Sequence, residues 1–161
     1  MTLHANRSTP ASRPVARKPI DAYRTLYRSQ PVERIEIVRA GIQAADAKMW
    51  LDMPDIGSMA LLKALDLSVA TFNRKVKTRE TLSKAESERV VGFARLVGQV
   101  EAMVENVQDG DDFDARSWIA RWLTEPLPAL GQARPIDFMD TMEGQRLVSQ
   151  KLAQVAGGAY A

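Results

Sequence analysis

The sequence of 161 residues has no cysteine and one histidine, His4. The first absence excludes disulfides and thiolate metal sites. The scarcity of histidine means that a nucleophile would lack an imidazole base and a zinc ion its usual nitrogen ligands, since His4 stands in a segment with no helical or strand periodicity. No glycine-rich phosphate loop precedes a helix either. We therefore predict that the protein is not an enzyme and has no catalytic residue, no metal and no cofactor.

Long apolar runs are also missing. Hydrophobic residues make up 45% of the chain, but charges interrupt them too often to predict a membrane span. No apolar stretch follows the first basic residues, so a secretory signal is not predicted. A cysteine-free protein fits a reducing compartment, and we predict a cytoplasmic location and no membrane partner.

Positive charge is concentrated in two segments. Residues 1–18 carry four bases and no acid, and residues 58–79 carry five bases against one acid, Asp66. The rest of the chain has a net charge of −6, although the whole chain has +2. Basic segments on an otherwise acidic protein favour an anionic partner at one face, and ordinary solvated faces are the alternative.

Apolar spacing predicts helices from Pro19 onward, while alternating patterns and internal repeats are missing. We therefore predict an all-α fold. Its first part is a flexible basic arm over 1–18, with prolines and no apolar period. A helical region over 19–107 follows and contains a helix-turn-helix over about 44–79 and a long helix over 83–107. The remaining residues, 108–161, form a C-terminal helical domain.

Capping residues mark where the later helices begin. Ser83 and Glu86 form a Ser-x-x-Glu capping box at the start of the long helix. Asp112 is expected to cap the next helix, which carries Trp118 and Trp122. These tryptophans share an apolar stripe, so we expect them mainly in the core.

The segments "MALLKALDL" and "VATFNRKVK", joined at "LDLS", have the form of a helix-turn-helix. Ser58 and Ser68 are expected to cap the two helices, and Asp66 to take a left-handed conformation in the turn. A plain helical hairpin with a solvated basic face is the alternative, because Val69 and Ala70 offer no hydrogen bonds to bases. The polar and basic residues predicted to bind DNA are Ser68, Thr71, Asn73, Arg74, Lys75, Lys77 and Arg79.

The stretch "PALGQARPIDFMDTMEGQRLV", residues 128–148, packs several turn signals close to the C-terminus. Gly131 permits a turn, and Pro135 suits a first helical turn. Thr141 is expected to cap a last helix whose apolar residues form a narrow stripe. These signals predict that the last helix and the residues after it are held in a fixed direction.

Three segments together resemble the Xre/MbcA/ParS family of bacterial antitoxins: "MALLKALDLSVATFNRKV", "LSKAESERVVGFARLV" and "WIARWLTEPLPALGQARPIDFMDTMEGQRLVSQKLAQVAGGAYA". The resemblance runs from about Val38 to Ala161. The ending is its most specific part, with "PALG", "RPIDFMDT", "EG" and a Gly-x-aromatic close at Gly158 to Tyr160. Two places depart from the family: "GQAR", where a second glycine is usual after Gly131, and the linker "VENVQDGDD".

The resemblance implies an Xre-like helix-turn-helix followed by a toxin-binding domain. Members of the family pair with a toxin, commonly one with a RES domain that consumes NAD or transfers its ADP-ribose. The implied protein is an antitoxin that covers the toxin's active site and binds its own promoter DNA. Residues of the last helix and the tail, with Tyr160 as an anchor, are expected to bind the toxin: Arg146, Gln150, Lys151, Gly157, Gly158, Ala159, Tyr160 and Ala161. The alternative is a C-terminal helix that only packs on the core.

A homodimer is expected from the two-fold symmetry typical of helix-turn-helix binding. The helices over 19–42, where Val32, Ile35 and Ile42 recur near helical spacing, are candidates for that contact, although their apolar residues suit the core equally. Two further functions stay open: a transcription regulator without a toxin, and a toxin inhibitor whose helix-turn-helix serves only dimerisation.

Overall fold

A computed structural model of the chain describes residues 19–105 and 112–158, and the side chains from Ala22 onward. The predicted arm over 1–18, the end of the long helix at 106–107 and the tail residues 159–161 lie outside the described residues. The described part contains helices, short turns and two isolated bridges but no strand, which confirms the all-α prediction.

Eight α-helices follow one another along the described ranges. They are α1 (Pro19–Arg28), α2 (Pro31–Ala40), α3 (Ala44–Trp50), α4 (Ser58–Ala64), α5 (Val69–Thr78), α6 (Lys84–Val104), α7 (Ala115–Thr124) and α8 (Met142–Ala156). Two 3-10 turns, Pro128–Leu130 and Pro135–Phe138, lie between α7 and α8.

The long helix α6 is the centre of the fold. It contacts α1, α2, α7 and α8, and its buried residues occur on most of its circumference, including Val90, Phe93, Val97 and Val100. A helix that is apolar on most sides is one that other helices surround. The buried apolar residues of α1 and of α3 to α8 form one continuous cluster, and partly buried residues of α2 pack against it.

Close packing of α1 on α6 depends on Gly98. A methyl group at Gly98 would overlap the main-chain carbonyl of Tyr23, so only glycine permits this approach without a shift of the backbone. The hydroxyl of Tyr23 is buried and donates a 2.7 Å hydrogen bond to the carbonyl of Trp50. The contact between α1 and α6 therefore also positions the end of α3.

Most of the predicted helix starts are confirmed. Ser68 accepts a hydrogen bond from the amide of Thr71, and Ser83 and Glu86 make both hydrogen bonds of the capping box. Thr141 accepts from the amide of Gly144 at the start of α8. These ends were predictable because a cap is decided within about four residues.

Two predicted caps are wrong. Ser58 is the first residue of α4, and Gly57, which has no side chain, occupies the cap position. Asp114 rather than Asp112 caps α7, because its Oδ1 lies 3.1 Å from both the Arg116 and the Ser117 amide nitrogens. Asp112 stands two residues further from the helix and precedes the cap position.

Gly41, with a φ of 81°, ends α2 one residue before Ile42, although the sequence places Ile42 on the same helical spacing as Val32 and Ile35. Ile42 is buried. No residue of α2 is buried, and Val32 and Ile35 are 68% and 46% exposed. Val32 and Ile35 therefore form an exposed surface, whereas Ile37 and Val38 of the same helix are partly buried and pack against the core.

Candidate functional site

The α4–α5 pair has the geometry expected of the turn. Asp66 is left-handed, with a φ of 52°, as predicted. The amide of Leu67 donates a 2.8 Å hydrogen bond to the carbonyl of Leu62 and closes the turn. Phe72 is buried, so α5 keeps one face on the core and leaves its polar residues outside.

The seven residues predicted to bind DNA differ in exposure and in whether their side chains already have a partner in the chain. Asn73, Lys77 and Arg79 are exposed. Ser68 uses its hydroxyl to cap α5, and Thr71 is half-buried. The remaining two, Arg74 and Lys75, pair with carboxylates of the same chain.

The two ion pairs differ in how much water they meet. Arg74 donates to Glu80 at 2.6 Å, with both side chains about half exposed. Lys75 donates to Glu86 at 2.7 Å, and their side chains are only 13% and 18% exposed. Burial by itself raises the pKa of Glu86, but hydrogen bonds from Lys75 and Ser83 outweigh it and leave the pKa below its ordinary value. Lys75 is thus committed to joining α5 and α6.

The turns ahead of α8 form a short closed loop. Leu127 and Ala133 pair across it, with 3.0 Å from the Leu127 nitrogen to the Ala133 oxygen. Gly131 and Gln132 are both left-handed, with φ values of 64° and 69°. Gln132 stands where the family usually has its second glycine, and it adopts the left-handed conformation although its side chain disfavours it.

The second 3-10 turn anchors the start of α8. Asp137 accepts from both the main chain and the guanidinium of Arg134, and these hydrogen bonds hold the pKa of Asp137 below its ordinary value. A methyl group at Gly144 would overlap the carbonyl of Phe138. The side-chain amide of Gln145 donates to the carbonyls of Arg89 and Met139, at 3.1 and 3.0 Å. The turn chemistry therefore fixes α8 against α6.

The described residues among those predicted to bind the toxin belong to α8 and to the two glycines that follow it. Arg146 is exposed and pairs with Glu143 at 2.5 Å, and Gln150 is exposed one turn later. Lys151 is half-buried. Gly157 and Gly158 are exposed, and Gly158 is left-handed with a φ of 69°. Ala159, Tyr160 and Ala161 lie outside the described residues.

The tryptophans of α7 are mainly core residues, as expected. Trp122 is 7% exposed, and Trp118 is half-buried and packed against the core. Their rings stack with centroids 6.1 Å apart.

A groove of about 540 Å³ lies between α6, the first half of α8 and the end of α1. The residues that give it its chemistry are Tyr27, Arg95, Leu96, Met142, Gln145 and Arg146. Of these only Arg146 was singled out from the sequence. The signal for the groove was a single base, Arg95, inside the apolar stretch "VVGFARLVGQV" of α6.

Within residues 19–105 and 112–158, no group of histidine and acidic side chains is suited to hold a metal ion. No helix of this part is long and apolar enough to cross a membrane.

Comparison with known proteins decides the family. Residues 100–158 match the antitoxin Xre/MbcA/ParS C-terminal toxin-binding domain. The chain is also 47% identical, over 140 residues, to the Prs ADP-ribosylating antitoxin of Sphingobium sp. (strain YBL2). The aligned residues make up 87% of this chain and 88% of the relative. The chain belongs to the Xre/MbcA/ParS family of antitoxins.

The resemblance stated from the sequence is thus confirmed, and a toxin is the partner of this antitoxin. The matched domain begins near the end of α6 and runs through Gly158. It therefore includes the fixed turns, the outer side of α8 and part of the groove.

Proposed function

We propose that this antitoxin neutralises a RES-domain toxin that consumes NAD, by covering the toxin's active site with the outer side of α8 and the residues 157–161. The antitoxin acts in the cytoplasm as a binding protein and is not itself an enzyme. The observation that carries the proposal is the fixation of α8 by the turns before it, which leaves Arg146 and Gln150 exposed on the outer side of α8 and Gly157 and Gly158 exposed at its end.

Two features support an NAD-dependent target. The name of the relative associates it with ADP-ribosylation, a chemistry that takes ADP-ribose from NAD. The last residues include Tyr160, whose aromatic ring and hydroxyl suit an anchor in an NAD-binding pocket. The half-buried Lys151 would contact the toxin at the edge of the interface.

Removal of residues 157–161 tests the proposal. The truncated antitoxin should lose most of its protection against NAD depletion when it is co-expressed with the toxin encoded beside it. Its melting temperature should stay within about 2 °C of the full chain, because Gly157 and Gly158 are exposed and bury no apolar surface.

Deletion of residues 2–18, which lie outside the family resemblance, is the matched control and should leave protection intact. Full protection by the chain without residues 157–161 would show that the tail does not cover the active site.

We further propose that the α4–α5 pair binds the promoter of the antitoxin's own operon and represses it. Asn73, Lys77 and Arg79 are the main contacts, since they are exposed and have no described partner. Arg74 adds a further contact when DNA phosphates replace Glu80 as its partner. Ser68 caps the start of α5, and Thr71 and Lys75 help to hold α5 against the rest of the fold.

A homodimer would place two such helices on a two-fold symmetric site. The exposed apolar residues of α2, Val32 and Ile35, supply a contact surface that the core does not use.

A second candidate function for the α4–α5 pair is dimerisation without DNA binding. The internal pairing of Arg74 and Lys75 favours it, because two of the bases on α5 already have carboxylate partners. Binding of the full chain to its promoter separates the two functions.

A further inference from the structure

Arg95 is a charged residue in a place where few charges are found. It lies in the middle of α6 between the buried residues Ala94 and Leu96 and is itself half-buried. Among the described residues the guanidinium has no hydrogen bond or ion pair, and its Nε is enclosed without a partner. Burial lowers the pKa of Arg95, and the charge of Arg34 lowers it further. A half-buried cation without a counter-charge destabilises the free protein.

The wall of the groove beside Arg95 also contains a buried polar side chain, Gln145, which is fixed in position. Gln145 is 4% exposed and lines the groove, and its Oε1 has no hydrogen-bond partner among the described residues. This side chain is held in place by the two carbonyls that accept from its nitrogen. Gly92 makes room for it, because a methyl group at Gly92 would overlap the Gln145 amide.

The remaining walls of the groove select for more than a free anion. Tyr27, Leu96 and Met142 add apolar surface beside Arg95. Arg146 and Glu143 neutralise each other at the rim. The groove is therefore a site for one negative charge accompanied by apolar groups, and a volume of about 540 Å³ is larger than a small inorganic ion needs.

We propose that the groove between α6 and α8 receives an acidic side chain of the toxin, an aspartate or glutamate next to an apolar residue, and that Arg95 pairs with its carboxylate. The antitoxin's own basic arm is a poor occupant, since residues 1–18 carry four bases and no acid. The toxin is the favoured partner because Met142, Gln145 and Arg146 belong to the matched toxin-binding domain.

The proposal extends the toxin contact to Arg95 and Tyr27, which lie outside residues 100–158. It deepens the proposed function, since it rests on toxin binding, but it does not depend on coverage of the active site by the tail.

Three variants of the full chain test the pairing by their affinity for the purified toxin at low and at high salt. Arg95→Gln removes the charge and should weaken binding about tenfold or more, with a smaller dependence on salt. Arg95→Lys keeps the positive charge and should therefore lose less affinity than Arg95→Gln. Arg39→Gln, which alters an exposed arginine of α2, is the control and should bind normally.

Thermal unfolding separates a binding role from a structural one. Because the guanidinium of Arg95 lacks a described partner, Arg95→Gln should melt at the same temperature as the unchanged chain or higher. If Arg95→Gln does not fold, Met142→Glu replaces it in the test. That exposed first residue of α8 tolerates a carboxylate, which would compete with the toxin for Arg95 and weaken binding.

Cross-linking identifies the occupant directly. A carbodiimide joins an amine to a carboxylate in contact with it, so the Arg95→Lys variant in the toxin complex should yield an amide between position 95 and an acidic residue of the toxin. A cross-link to a second copy of the antitoxin would overturn the proposal, and so would unchanged toxin affinity of Arg95→Gln and Met142→Glu. If the unchanged chain binds no toxin, the proposed function fails as well, whereas normal binding by all groove variants refutes the groove alone.

Discussion

Tyr23 shows what one buried polar group contributes to this antitoxin. Its side chain is fully buried between α1, α6 and the end of α3, and its hydroxyl satisfies the Trp50 carbonyl. Burial raises the pKa of Tyr23 from 10.0 to about 12. The group therefore links the stability of the fold to alkaline pH.

We predict that the free energy of unfolding falls steeply between pH 10 and pH 12. The unfolded chain loses the phenolic proton near pH 10, while the folded chain keeps it until about pH 12. The contribution is complete below pH 10 and is lost as the pH rises through the folded pKa, a change of about 2.7 kcal/mol at most. Denaturant unfolding at a series of alkaline pH values measures it.

Tyr23→Phe is the control for this pH dependence. The variant should be about 1–2 kcal/mol less stable at neutral pH, since the Trp50 carbonyl loses its donor. Its stability should then decline less between pH 10 and pH 12. A parallel decline of both proteins would show that other groups cause the alkaline loss.

At the scale of the element, α5 combines two tasks. On its inner side, Phe72 is buried in the core, and Lys75 forms an ion pair with Glu86 of α6. Its outer side carries Asn73 and Lys77. The two groups of side chains should respond differently to substitution.

We predict that Lys77→Ala and Asn73→Ala each weaken binding to the operon's promoter by roughly fivefold to tenfold, while Lys75→Ala mainly lowers thermal stability. Lys77→Ala should also reduce the slope of log affinity against log salt by about one. Fluorescence anisotropy with promoter DNA at several salt concentrations measures both effects.

Arg121→Ala, on the exposed side of α7 and outside the predicted helix-turn-helix, is the control and should change neither quantity. Equal promoter binding by the Lys77 and Asn73 variants and the unchanged chain would remove α5 from the DNA interface and favour the dimerisation function.

The elements also show what the sequence was able to predict. The capping box of Ser83 and Glu86, the cap at Thr141 and the left-handed Asp66 were all correct, since each depends on a few neighbouring residues. The pairing of Lys75 with Glu86 was not foreseen, because it depends on how α5 meets α6. The same holds for the groove at Arg95, which needs α1, α6 and α8 in their final positions.

At the scale of the whole molecule, α6 is shared by the N-terminal helices and the toxin-binding domain. Helices that precede the segment 106–111 and helices that follow it both pack apolar residues against α6. The family match begins near its end, at residue 100. A domain boundary at residue 100 therefore follows the family match, but it cuts α6, the helix against which the N-terminal helices and the toxin-binding domain both pack.

We predict that a fragment of residues 19–105 does not fold stably. It would lack the four largest fully buried aliphatic side chains of α7 and α8, namely Ile119, Leu123, Val148 and Leu152. Their burial is worth roughly 6–12 kcal/mol in total, which is comparable to the whole stability of a domain. Circular dichroism melting and binding of a hydrophobic dye measure the loss.

The chain without residues 2–18 is the control for the fragment and should melt cooperatively. A cooperative transition of the fragment 19–105 itself, without dye binding, would show that the N-terminal helices form an independent domain.

The shared helix also limits how such genes can be recombined. An exchange of toxin specificity between relatives replaces α7, the turns and α8, yet these elements lie against the side chains of α6 that the recipient supplies. A crossover after α6 therefore places α7 and α8 of one relative against the α6 of the other. The product folds only where the apolar side chains of that α6 fit the helices on both sides. On the proposed toxin-binding side of α8, substitutions should therefore give new partners more readily than exchange of the whole half.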